Sequence, residues 1–309
     1  MPSGLARLWQ RHGDVLLVVV GALLVSGKGI IAKLLYRDGI AVEPILLLRA
    51  WFSLPLVWAW SLLRVGWRPL LATPSALLGL AMLAGFASHY AGAWMNFVAL
   101  TMIDASLERV LLFTYPAMVV LGRALMTRRW PSGRVLAASA LTYVGVACAV
   151  GGLEAGLWRA NALGAALVLG SAALFAYYLI ANERVAVTLG SVPFIVYASS
   201  AAALALTAHA LLVDERGLLE LVRMPRHDLG LILLMTALTN VLPLFLFSAS
   251  IRRIGAQRAA LVSTIGPPAT LALAALVLGE TLAPVQMLGA GLILAGIVVL
   301  ESRRPVAAA

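Results

Sequence analysis

The chain has 309 residues, of which 62% are hydrophobic and only 12% charged, and its mean hydropathy is +0.98. A water-soluble protein carries roughly 25% charged residues, so this composition excludes a soluble globular domain and calls for a surface that faces lipid. The net charge of +10 is scattered through short connectors and forms no continuous stripe, which argues against nucleic acid as a partner.

The opening stretch, MPSGLARLWQRHGD, precedes an apolar run that is too long for a signal peptide and has no Ala-x-Ala cleavage site, so it is expected to be retained as the first span. Cutting the chain at charged or Pro/Gly-rich connectors places spans near 15–36, 43–63, 75–102, 105–126, 134–152, 162–182, 191–213, 229–250, 256–278 and 284–301. About 20 apolar residues at 1.5 Å each cross a hydrocarbon core of roughly 30 Å. The expected fold class is therefore all-α integral membrane, with ten transmembrane helices. The longest connector, 214–228, reads as a surface amphipathic segment. Cys148 is the single cysteine and lies in an apolar run, so no disulfide forms within the chain.

Arginines set the expected orientation. With the N-terminus inside, the inner connectors and tails hold Arg64, Arg68, Arg123, Arg128, Arg129, Arg134, Arg184, Arg252, Arg253 and Arg258, among others, and the outer side holds about half as many basic residues. This predicts a multi-pass protein of the cell's inner (plasma) membrane with both termini cytoplasmic.

The two halves of the chain resemble each other. Ala105–Val150 can be laid on Ala256–Leu300, which matches Pro116 to Pro267 and Gly145 to Gly296 at an offset of about 150. Five helices per half is an odd number, so the second copy enters the bilayer from the opposite face. The expected domains are 1–152 and 153–309, two inverted five-helix repeats of the kind that places a transporter site at the repeat interface.

The closing segment Leu278-Gly279-Glu280-Thr281-Leu282, followed by Gln286, Leu288-Gly289-Ala290 and Leu292-Ile293-Leu294-Ala295-Gly296, resembles the C-terminal half of an EamA repeat of the drug/metabolite transporter superfamily. In the first half Arg49, Ala99-Leu100, Ala105-Ser106 and Tyr115-Pro116 fall where that repeat has related residues. The first half departs from the pattern by carrying Arg128-Arg129 in place of Gly279-Glu280. The resemblance implies ten helices, inside termini and export of small metabolites such as amino acids.

Ionisable groups at membrane depth cost about 2.5–3.5 kcal/mol each, so each is a functional candidate. Lys28 lies in the first span, in Val25-Ser26-Gly27-Lys28-Gly29, and fails the phosphate-loop spacing because Gly21 is one residue too early and Gly29 stands where a hydroxyl is needed. Two readings remain for it: a cation that meets a substrate carboxylate, or a structural partner of a carboxylate such as Glu108. His89 in the third span falls opposite Thr239 or Asn240 in the eighth at the repeat offset. Tyr90 and Trp94, with Tyr177 and Tyr178 in the sixth span, offer aromatic walls with polar tips. Asp104, Glu108 and Arg109 open the fourth helix, and with Arg49 they are expected to gate the outer side. Arg253 and Arg258 are expected to gate the inner side.

The predicted function is secondary active or facilitative export of small amphipathic metabolites by alternating access. Amino acids, aromatic ones included, lead the substrate classes, with phosphorylated or other organic anions as the alternative. Protons carried by Glu108 and His89 are a candidate coupling ion. No cofactor or metal is called for. An integral-membrane enzyme is poorly supported, because there is no His-Glu-x-x-His, no Gly-x-Ser-x-Gly and no clustered His/Cys/Asp set for a metal.

Overall fold

A computed structural model describes residues 4–128, 131–150, 154–212, 221–243, 246 and 265–301. Among these residues every regular element is helical. Seven segments are long and apolar enough to cross a membrane: Val15–Arg37, Val42–Val65, Ser75–Met102, Ala105–Met126, Gly133–Val150, Ala155–Val185 and Val192–Leu212. Two shorter apolar helices, Gly266–Leu278 and Pro284–Val299, match the ninth and tenth expected spans in place. The eighth and ninth expected spans run into 244–245 and 247–264, which lie outside the described residues, as do Arg253 and Arg258.

In chain order the helices are α1 (Gly4–Ser26), α2 (Lys28–Arg37), α3 (Val42–Val65), α4 (Trp67–Leu71), α5 (Ser75–Gly85), α6 (Ala93–Met102) and α7 (Ala105–Leu112). They continue with α8 (Tyr115–Thr127), α9 (Gly133–Val150), α10 (Ala155–Leu189), α11 (Ser191–Leu212), α12 (Arg226–Thr236), α13 (Gly266–Leu278) and α14 (Pro284–Glu301). Several spans are compound. The first turns at Gly27 between α1 and α2, and the fourth breaks at Phe113–Thr114. The third is interrupted by a π-helical segment, Phe86–Gly92, and a second such segment, Ala237–Val241, follows α12. Hydropathy does not distinguish a π turn from an α turn, which is why the third span reads as uniform in sequence.

The sixth span differs from expectation. Its helix runs from Ala155 to Leu189, well beyond 162–182, and stops at Gly190, whose φ of 78° is left-handed. Asn182-Glu183-Arg184 ends the apolar run but not the helix, since polar helix formers continue a helix past the depth at which lipid ends. Arg123 and Glu183 form an ion pair between α8 and α10 at this level.

Elements recur at a constant spacing. α5 begins at residue 75 and α12 at residue 226, an offset of 151, and both have 11 residues. The same offset relates α8 to α13, each of 13 residues, and α9 to α14, each of 18. It also relates the starts of the two π segments. Pro116 and Pro267 both sit in the first turn of their helices, where the missing N–H is not needed. α8 ends on Arg128 and α13 on Gly279, both left-handed.

The contact between α9 and α14 has the same regularity. A Cβ on Gly145 would stand 2.9 Å from the Gly289 carbonyl and 2.8 Å from the Ile293 nitrogen. One on Gly296 would stand 2.8 Å from the Ala138 carbonyl and 3.1 Å from the Thr142 nitrogen. Residues 138 and 289, and 142 and 293, are themselves 151 apart, so each helix makes on its partner the contact that its partner makes on it. Small residues of this kind let helix backbones approach where lipid gives no hydrophobic drive. Large apolar side chains such as Leu63, Leu163, Leu204 and Leu276 point outward. Among the described residues four interior clusters hold the bundle, the smallest around Val57, Leu70 and Val196. Leu35, Ile45, Phe97 and Ile232 join α2, α3, α6 and α12; Leu107, Val168 and Ile293 join α7, α10 and α14; and Ala84, Tyr178 and Phe194 join α5, α10 and α11.

Candidate functional site

α2 places Lys28 in its first turn, α6 carries Asn96 in an otherwise apolar face, and α7 turns Glu108 inward. The three side chains close a triangle. Lys28 Nζ donates to Asn96 Oδ1 at 2.6 Å and lies 3.1 Å from Glu108 Oε1, while Asn96 Nδ2 donates to the same carboxylate oxygen at 2.6 Å. Glu108 is 1% exposed and Lys28 14%. Gly29 allows the close approach, since its Cα faces Ala105 and Glu108 of α7. Glu108, the carboxylate named in the second of the two readings of Lys28, lies at ion-pair distance from it, and Asn96, not singled out from sequence, completes the network.

Further positive charge surrounds this triangle. The Arg49 guanidinium lies 5.3 Å from the Phe97 ring centre and Lys28 Nζ 5.6 Å from it, so one buried ring is flanked by two cations. Arg109 is buried, stacks 4.9 Å from Phe113, and has no hydrogen-bond partner for Nε. Gly266, at the start of α13, leaves room for its guanidinium. Among the described residues neither Arg49 nor Arg109 has a carboxylate within ion-pair distance.

Toward the ends of α2 and α6 lies an open pocket of about 940 Å³, lined by Lys33, Tyr36, Glu43, Asp104 and Glu280 among others. Lys33 Nζ is 3.7 Å from Asp104 and 3.6 Å from Glu280. Glu280 also accepts from the backbone N–H groups of Ala105 and Ser106, at 3.0 and 3.1 Å, and from the Ser106 hydroxyl at 3.0 Å. Asp104, the residue before α7, makes no capping bond of its own, so a carboxylate from a distant hairpin serves as the cap. Arg37 donates to the Leu278 carbonyl at 3.0 Å and ties α2 to the same hairpin. Half burial, and then the Glu280 carboxylate, hold the Asp104 carboxyl above its ordinary range despite Lys33. Glu280, named from sequence only as part of the closing motif, joins the Asp104 and Lys33 cluster.

The other expected residues go to separate neighbours. His89, in the first π segment, lies 4.5 Å from the Tyr178 ring, which in turn meets Phe175 and Phe194. Tyr90 OH is 2.7 Å from His209 Nδ1, and Trp94 Nε1 donates to Glu43 at 3.4 Å. Tyr177 packs at the edge of the Tyr178 cluster. Thr239 is buried and Asn240 half-buried in the second π segment. None of Lys28, His89, Tyr90, Trp94, Tyr177, Tyr178, Thr239 and Asn240 lines the 940 Å³ pocket. His209 and Asn96 are polar groups in apolar spans, so the membrane-depth cost that picked out Lys28 was a signal for them too.

Comparison with known proteins agrees with this architecture. The EamA-like transporter family matches residues 162–302. The uncharacterized transporter YcbK of Bacillus subtilis (strain 168) is 30% identical over 289 residues, which cover 93% of this chain and 92% of that protein. A solved crystal structure, 18% identical, aligns over 96% of this chain and 100% of its own with a TM-score of 0.58, a likeness of fold. Apolar spans enclosing a buried polar network define a multi-span membrane protein, and its relatives make it a transporter. The chain belongs to the EamA-like transporter family.

Proposed function

We propose that the chain is a secondary exporter of small amphipathic metabolites that carry an anionic group, with amino acids, aromatic ones included, as the leading class. The observation that carries this reading is a local imbalance of charge: half-buried Lys28 and Arg49 and buried Arg109 gather near one buried carboxylate, Glu108. Buried ions are costly unless paired, so a substrate carboxylate is a natural partner for the surplus. In this reading Lys28 and Arg109 meet the anionic end, and His89, Tyr90, Trp94, Tyr177 and Tyr178, with Thr239 and Asn240, face the remainder.

Residues 1–152 and 153–309 act as two inverted five-helix repeats that open alternately, with both termini cytoplasmic. The offset of 151 and the reciprocal α9–α14 contact support this reading. Arg49, Asp104, Glu108 and Arg109 gate one side and Arg253 and Arg258 the other, and Glu108 or His89 carries a proton if transport is coupled. The two guanidiniums also favour a second substrate class, phosphorylated or other organic anions, because arginine is suited to bidentate binding of phosphate.

Counterflow in proteoliposomes separates the two classes. Labelled amino acid should accumulate against unlabelled amino acid, with and without a pH gradient; accumulation only of sugar phosphate would replace the first class by the second. Absence of both would refute the proposed substrate chemistry.

A further inference from the structure

Outside the buried network, three potential ligands converge at a place that no transport role uses. Asp38 follows the last turn of α2, and His227 and Asp228 lie in the first turn of α12, 189 and 190 residues further along the chain. One nitrogen of His227 and one carboxylate oxygen each from Asp38 and Asp228 all lie within 4.8 Å of one another. We propose that Asp38, His227 and Asp228 form a divalent-cation site of the zinc type, which joins the end of α2 to the start of α12.

Asp228 is what distinguishes this group from an ordinary acidic surface. It is only 4% exposed, and among the described residues its carboxylate has no hydrogen bond and no ion pair. Its carboxylate faces a second carboxylate and an imidazole, so a cation held there would meet three donors at once. Arg37, next to Asp38 in the chain, is directed to the Leu278 carbonyl.

The donor set points to the kind of ion. Imidazole nitrogen with two carboxylate oxygens suits zinc, whereas magnesium and calcium favour oxygen alone. Bond lengths of about 2.0–2.2 Å put the ligand atoms of a tetrahedral zinc roughly 3.3–3.6 Å apart. Asp38 and His227 are exposed, so their side chains are free to close that last distance, while buried Asp228 supplies the fixed point. Water would complete the coordination.

The test uses the full chain in detergent, without a polyhistidine tag, stripped with chelator and titrated with Zn²⁺ against a chromophoric chelator. The expected result is one saturable zinc per chain. Even loss of an outer-shell partner costs about 10–100-fold in metal affinity, so His227→Gln and Asp228→Asn should each weaken binding by at least about tenfold. Exposed His227 can be changed without disturbing the bundle, so His227→Gln decides the matter should Asp228→Asn fail to fold. No saturable zinc in the wild-type chain, or equal binding by wild type and His227→Gln, would overturn the site.

Discussion

Lys28 Nζ and Glu108 Oε1 lie 3.1 Å apart, and Asn96 bonds to both members of the pair. Removing one partner of a buried pair costs about 3–5 kcal/mol, because the other charge is left without compensation, whereas replacing both with apolar side chains is often neutral. Glu108→Gln should therefore lower the melting temperature in detergent, and the double variant Lys28→Met with Glu108→Leu should recover most of that loss. Counterflow should be absent in both. Transport by the stable double variant would show that the pair is structural only.

The α9–α14 seam leaves no room for a methyl group. A Cβ on Gly289 would lie 2.3 Å from the Ala149 nitrogen and 2.6 Å from the Gly145 carbonyl, both backbone atoms that cannot step aside. Gly289→Ala should cost about 1–3 kcal/mol as the helices are forced apart. Gly291→Ala, which meets nothing within 4 Å, should be close to neutral. Thermal unfolding of the two variants side by side measures the difference.

Glu280 occupies the position of a helix cap without belonging to the helix. Its replacement by Ala should cost about 0.5–2 kcal/mol and should speed hydrogen exchange at the Ala105 and Ser106 amides, which lose their acceptors. Unchanged exchange at those two amides would mean that other acceptors take over.

Asp104 carries a pH dependence whose sign follows from its surroundings. Half burial, and then Glu280, raise its pKa in the folded state, so folding favours the protonated form. The penalty is absent below the unfolded pKa and complete above the folded one. Asp104→Asn should therefore gain melting temperature relative to wild type as pH rises from mildly acid to neutral. A difference that shrinks over that interval would contradict the assignment.

Much of this was legible in the sequence because lipid imposes length and apolarity on any segment that crosses it. The boundaries of Ser75–Met102 and Ala105–Met126 follow from that alone. So does the choice of Lys28 and Glu108, since charge at membrane depth is rare enough to stand out. Asn96 carries less contrast than a lysine and escaped notice, although it bonds to both. Tyr90 and Trp94 stand four residues apart, a spacing that puts two side chains on one face of an α-helix, yet they bond to His209 and Glu43 on different helices. A π segment turns more slowly than the 3.6 residues assumed in reading such spacing. Asp38 and the His227-Asp228 pair meet only through tertiary packing, and no local pattern announces them.

The cap on α7 has one more consequence. Ser106 receives Glu280 and Glu108 receives Lys28, and the two residues stand within a single helical turn. With so little chain between them, a displacement of the 279–283 hairpin has no flexible joint in which to be absorbed. The rim of the pocket and the buried pair are the two ends of one short lever, and a pull on either end is felt at the other.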